Sequence, residues 1–217
     1  KQISKPTSLT LLGIWIVALL TMIFTLIEFG SSHANYGDFT KKTAINSIEN
    51  DSISLKLINN DEIHYKENLR TSSHKYEVDI DGESKVYSNN VKVDVKRSNS
   101  EQAYIILRKE SRGKSSIRAN KNAEKIEYNF EVIDNTVVLN GYYLSDLKNI
   151  WKDEEVHITL YLPKGITVYF DNSIKNFLDN VENETDIYDK DMANHHFIMT
   201  NKTLKCTDCV DEVEESI

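Results

Sequence analysis

The chain has 217 residues, 40% hydrophobic and 28% charged, enough for one globular domain with a core and a further segment. The formal net charge is −8, and before residue 36 only Lys1, Lys5 and Glu28 are charged, so the remainder is acidic. An acidic domain repels phosphates, which excludes nucleic-acid binding through its overall field. The first residue is Lys rather than Met, and the expectation is a fragment or processed product of a longer protein.

The first element is "SLTLLGIWIVALLTMIFTLIEFG", Ser8 to Gly30, with no charged residue between Leu9 and Ile27. At about 1.5 Å per residue it is long enough to cross a hydrocarbon layer of roughly 30 Å. It is apolar on every face, unlike the core helix of a soluble domain. A secretory signal peptide is the rival, with Lys1 and Lys5 as its basic region and "SHA" at Ser32–Ala34 as a cleavage site. The apolar run exceeds the usual signal-peptide length, which favours a retained transmembrane helix meeting the bilayer through residues 9–29. Either way residues 36–217 are exported if Lys1 and Lys5 stay inside, although Lys41 and Lys42 weaken that charge asymmetry. The expected organisation is a helix and its flank over 1–30, a polar juxtamembrane linker over 31–42, a β-rich domain over 43–209 and an acidic tail over 210–217.

Beyond the linker the apolar pattern has period two. "ISLKL" alternates Ile53, Leu55 and Leu57; "YEVDI" alternates Tyr76, Val78 and Ile80; "VKVDV" alternates Val91, Val93 and Val95. "IEYNFEV" alternates Ile126, Tyr128, Phe130 and Val132, and "VHITLYL" alternates Val156, Ile158, Leu160 and Leu162. "AYIILR" and "TVVLNG" read as further strands. Turn signals fall at Asp81-Gly82, Asn89-Asn90, Asp134-Asn135, Asn140-Gly141 and Pro163-Lys164-Gly165. Two short stretches have helical spacing: "SSIRANKNAEKI", with Ala119, Ala123 and Ile126, and "SIKNFLDNV", with Ile174, Phe177, Leu178 and Val181. The fold class is all-β: one domain of eight or more strands with one or two short helices, built as a sandwich or a solenoid-like stack.

No nucleophile elbow, P-loop, zinc-protease helix or dinucleotide turn is present, so no catalytic residue, cofactor or metal ligand is assigned. Asp186, Asp189 and Asp191 lack the spacing of a calcium loop and read as a solvated turn. "NET" at Asn183–Thr185 fits a glycosylation acceptor. His64 and His157 read as solvent-facing. The candidate site residues are Cys206 and Cys209, the only cysteines, spaced C-x-x-C below His195 and His196. Zinc needs four ligands, and adjacent histidines on an extended segment point to opposite faces. A local disulfide is the plain choice for an exported domain; a reversible thiol pair and a metal site are the alternatives.

Taken together and in this order, the apolar helix, "GKSSIRANKNAEKIEYNF", "WKDEEVHITLYLPKGI", "DIYDKDMANHHFIMT" and "LKCTDC" resemble the C-terminal region of phage shock protein C (PspC) proteins of Bacteroidetes. The resemblance runs from Leu9 to Cys209. It implies a "toast-rack" β-domain, which tips the choice toward a solenoid-like stack. It also implies a role in the envelope stress response or transcription regulation, with a PspC domain ahead of residue 1 in the bacterial inner membrane. It implies no catalytic residues.

The expected function is therefore a non-enzymatic sensor or regulatory module. Its extracytoplasmic β-domain would bind a protein or envelope component, with tyrosines such as Tyr142, Tyr143, Tyr161 and Tyr169 supplying contact area. A homo-oligomer is left open. The alternatives are a redox- or metal-responsive sensor using Cys206 and Cys209, and an envelope enzyme acting on glycans.

Overall fold

The computed structural model of the chain describes residues 5–45, 48–59 and 75–209. Lys1, His64 and the tail 210–217 lie outside them. Helix α1 (Lys5–Ser32) has 28 residues, about 42 Å at the rise of an α-helix. Pro6 stands in its first turn, where a missing N–H costs nothing. The hydroxyls of Thr10, Thr21 and Thr25 bond back to carbonyls one turn earlier, which masks their polarity on the helix surface. Its large apolar side chains from Leu9 to Phe29 are exposed all round, so α1 is a candidate membrane span.

The described residues then form thirteen strands and one further α-helix. In chain order these are β1 (Asn35–Ala44), β2 (Ser52–Ile58), β3 (Lys75–Ile80), β4 (Glu83–Ser88), β5 (Val91–Arg97) and β6 (Tyr104–Gly113). They continue with α2 (Ser116–Glu124), β7 (Phe130–Ile133), β8 (Thr136–Asn140), β9 (Tyr143–Asp146), β10 (Glu155–Leu162), β11 (Thr167–Phe170), β12 (His196–Met199) and β13 (Leu204–Cys206). Three open sheets result, ordered β1-β6-β10-β5, β13-β12-β11-β2-β8-β7 and β3-β4-β9. The pairs β5–β10, β2–β11 and β2–β8 are parallel, because the chain returns to each sheet in the same direction on successive passes. The all-β class expected from the alternation holds.

The alternating faces of β2, β5, β8, β10, β11 and β12 meet in one core. Ile53, Leu55, Val93, Val137, Leu139, Ile158, Leu160, Val168, Phe170 and Phe197 are buried in it. At about 25 cal/mol per Å² removed from water, this shared core is the main favourable term. The predicted turns do their expected work at two points. Asp81 (φ 52°) and Gly82 (φ 82°) close the two-residue β3–β4 hairpin, and Gly165 (φ 90°) reverses the chain between β10 and β11.

Three sequence expectations change. Residues 31–42 are not a linker: α1 runs on to Ser32, and β1 starts at Asn35, pairing antiparallel with β6 from Asn35↔Gly113 to Ala44↔Tyr104. An edge strand with one wet face is polar enough to look like a tether. The stretch 173–181 is not an α-helix. After a single turn at Asn172–Ile174, the backbone of Phe177 and Asp179 bonds to both sides of Val93 on β5. A sheet edge there outweighs weak helical propensity. "IEYNFEV" is interrupted: only Phe130–Ile133 is strand, and Val132 is exposed on that edge. The alternation of β3 holds, but its apolar face is buried in a cluster apart from the main core. Tyr76, Val78 and Ile80 join Tyr87, Tyr142 and Leu144 in a small satellite cluster, while the opposite face buries Lys75 and Glu77.

Candidate functional site

Three constellations lie outside ordinary core packing. The first is the junction between α1 and the β-domain. Asp153 (φ 55°) turns the loop between β9 and β10 so that it meets the helix end. His33 Nε2–H donates to the Trp151 carbonyl at 2.8 Å, and Lys152 Nζ donates to the Ser32 carbonyl at 2.9 Å. Arg112, next to last on β6, ties these pieces together. Its guanidinium pairs with Asp153 at 2.9 Å, donates to the His33 carbonyl at 3.4 Å and lies over the Tyr36 ring at 3.9 Å. Lys114 reaches Glu28, one turn back into α1, at 3.1 Å. Burial, then repulsion from Lys114, lowers the Lys152 pKa.

Helix α2 buttresses this end. Ser115 caps it, its hydroxyl accepting from Arg118 N, and Ala119 and Ala123 face inward. The helix sits so close that a Cβ on Gly37 would lie 2.4 Å from Asn120 N, and one on Gly113 2.6 Å from Ala119 N. At its other end Lys109 Nζ donates to the carbonyls of Glu124 and Ile126 at 2.7 and 2.8 Å. That arrangement satisfies helix-terminal acceptors and places a cation at the negative end of the helix. Burial lowers the Lys109 pKa.

The second constellation is buried directly behind the junction loop. Glu154 is fully buried beside Ser111, Ser145, Asn149 and Tyr143, which come from β6, β9 and the loop between β9 and β10. Ser111 Oγ donates to Glu154 Oε1 at 3.3 Å, and Tyr143 O–H donates to the Glu154 carbonyl at 2.5 Å. Glu154 Oε2, Ser145 Oγ and Asn149 Nδ2 have no hydrogen-bond partner among the described residues. Burial pushes the Glu154 carboxyl up to about 7, against the opposing pull of Lys75 and of the Ser111 hydrogen bond. Lys75 is itself lowered by burial and donates to the Ile150 carbonyl at 3.3 Å. Sequence patterning does not mark this group as a site. Its one signal was polar residues at positions 109 and 111, where β6 continues the inward face begun by Ile105 and Leu107.

The third is the C-terminal loop that carries Cys206 and Cys209. The two are joined by a disulfide, with Cα atoms 5.8 Å apart, and both pack against the main core. Asp208 between them accepts from His196 N at 3.0 Å and meets His195 Nδ1 at 3.2 Å and His196 Nδ1 at 2.7 Å. The two histidines meet different oxygens of this one carboxylate. Asn194 (φ 69°) turns the chain first, and the strand begins only at His196. Partial burial raises the Asp208 pKa, but hydrogen bonds from His196 and His195 outweigh it and hold the carboxyl below the usual range. His195, Cys206, Asp208 and Cys209 each bring a ligand-type atom within 4.8 Å of the others. With the disulfide closed the sulfurs are bonded to each other rather than present as thiolates, the species that hold zinc.

The remaining sequence candidates have structural partners. Asp189 accepts from the backbone N–H groups of Asn180 and Val181 at 2.8 and 3.0 Å. The Asn183 amide nitrogen donates to the Ile187 carbonyl at 2.8 Å and the side chain is buried, which leaves no room for a glycan. Glu110, Glu155 and His157 cluster on the open face of the four-stranded sheet, where Lys92 pairs with Glu155 at 3.1 Å and Arg108 with Glu110. Of the tyrosines, Tyr143 is core, Tyr142 stacks on Tyr87, and Tyr169 packs on His196. Tyr161 stacks on Tyr104 at 4.6 Å, with the Lys42 ammonium over the Tyr104 ring.

Comparison with curated proteins and with solved structures gave no match. Residues 77–212 match the family described as a toast-rack domain found at the C-terminus of some PspC proteins. That span covers more than half of the chain and takes in the Glu154 chamber and the C-terminal disulfide loop; α1, β1 and β2 precede it. The chain therefore belongs to the PspC C-terminal toast-rack family.

Proposed function

We propose that this chain is the membrane-anchored, non-enzymatic regulatory module of a PspC-type envelope stress protein, with the β-domain on the extracytoplasmic side. The observation that carries the proposal is the junction. The helix end is clasped by His33–Trp151, Ser32–Lys152 and the Arg112 contacts rather than trailing from a flexible tether. A clasped helix transmits a change in the β-domain to the membrane; a loose one does not. The domain binds a protein or envelope component, and the Tyr104–Tyr161–Lys42 face supplies contact area of the kind protein surfaces use. The test replaces Arg112 by Ala and inserts a Gly-Ser linker after Ser32 in the full-length protein, read by a stress-responsive reporter under envelope perturbation. The variant is expected to reach the membrane, fold and lose the response. A normal response would rule out transmission through the junction.

A second reading rests on Asp208, His195 and His196 converging on the C-x-x-C loop. There the disulfide responds to redox state or, once reduced, to a metal ion. The Cys206→Ser, Cys209→Ser double variant would then fold but lose signalling, and unchanged signalling would remove this reading.

A further inference from the structure

The clasp fixes the depth of the β-domain's near edge relative to the membrane. The uncharged apolar run of α1 stops at Ile27, and Glu28 follows. A headgroup layer about 5–8 Å thick corresponds to roughly four or five helical residues beyond that point. Residues 28–32 therefore lie at headgroup depth. The β-domain touches this same segment: Lys114 at Glu28, and Lys152 at Ser32. Its near edge thus overlaps the layer rather than standing above it.

The chemistry of that edge matches its position. Trp151 is 59% exposed although its carbonyl is held by His33, and Ile117, in the first turn of α2, is 72% exposed. Around them stand Arg112, Lys114, Arg118 and Lys152, against the carboxylates of Glu28 and Asp153. Asp153 and Glu28 offset Arg112 and Lys114, so Arg118 and Lys152 are the excess positive charge of this edge in a chain of net charge −8. Exposed Trp and Ile amid cations suit a surface that is apolar just beneath and anionic above. Lys114 and Lys152 repel each other, which an intervening phosphate would relieve.

We propose that Trp151, Ile117, Lys114, Arg118 and Lys152 form a docking edge for the anionic phospholipid surface around α1, which holds the β-domain flat against its own membrane. The proposal rests on α1 spanning the bilayer. The test uses the full chain in nanodiscs, since Trp15 and Trp151 are its only tryptophans. In a Trp15→Phe background, Trp151 fluorescence is quenched by a headgroup-labelled lipid, more strongly in phosphatidylglycerol than in phosphatidylcholine. Ile117→Asp lowers the quenching. Arg118→Glu shifts the docked-to-free ratio by about fivefold per unit of charge changed. In the companion Trp151→Phe background, acyl-chain-brominated lipid quenches Trp15. If Trp15 is quenched while Trp151 is reached only by aqueous iodide, α1 spans but the edge does not dock, and the proposal is overturned. If Trp15 is not quenched, the anchor fails and the proposal with it.

Discussion

Replacing Glu154 by Gln tests the buried chamber behind the junction. A carboxyl with a folded pKa of about 7 against an ordinary value of 4.5 holds its proton more tightly in the folded state. Between those values the folded chain binds more protons than the unfolded one, so stability falls as pH rises. The contribution is fully present below the ordinary value and lost as pH passes through the folded pKa. At 1.36 kcal/mol per pKa unit, the loss is on the order of 3 kcal/mol. Glutamine keeps the shape and removes the titration. The assay is urea unfolding of the β-domain in mild detergent, followed by near-UV circular dichroism from pH 5 to pH 8. All other ionisable groups are common to both proteins, so the difference between them isolates Glu154. Relative to the wild type, the variant should gain about 2–3 kcal/mol between pH 5 and pH 8. Parallel curves would mean that Glu154 is already ionised at pH 5 in the folded chain, and the chamber would not be a site of proton uptake.

Other expectations follow from single contacts. Gly113→Ala places a Cβ against the α2 backbone and should cost about 1–3 kcal/mol in the same urea assay. Lys109→Met leaves the carbonyls of Glu124 and Ile126, the latter buried, without their donor, again for about 1–3 kcal/mol, with loss of amide-exchange protection in α2. Cys206→Ser with Cys209→Ser opens a very short loop, so chain entropy predicts a loss of only about 2 kcal/mol, with the fold kept by circular dichroism. A larger loss would show that the His195–Asp208–His196 network depends on the disulfide.

Much of the fold is legible because its core strands follow the simplest physical pattern. Each of "ISLKL", "VKVDV" and "VHITLYL" has one apolar face, and Leu55, Val93 and Ile158 are buried where that alternation puts them. The helical spacing of Ala119 and Ala123 marks α2, because two small residues let the helix approach Gly37 and Gly113. What escapes is structure that depends on partners distant in sequence. Strand β1 looks like a tether until β6 pairs with it. The chain around Phe177 has helical spacing, but Val93 offers it backbone hydrogen bonds. The Glu154 chamber breaks the rule that apolar faces turn inward, since Lys75, Ser111, Ser145 and Glu154 come from four separated parts of the chain. The cysteine pair was visible at once, but its convergence with Asp208 required the turn at Asn194.

The most direct test of the proposed function is the side of the membrane on which the β-domain lies. Spheroplasts expressing the chain are treated with a membrane-impermeant maleimide, with and without prior reduction, before and after permeabilisation. Cys206 and Cys209 are the only cysteines of the chain. An extracytoplasmic β-domain with its disulfide closed labels in intact spheroplasts only after reduction. Labelling that needs permeabilisation but no reductant would place the domain in the cytoplasm with free thiols, and would contradict the proposed placement.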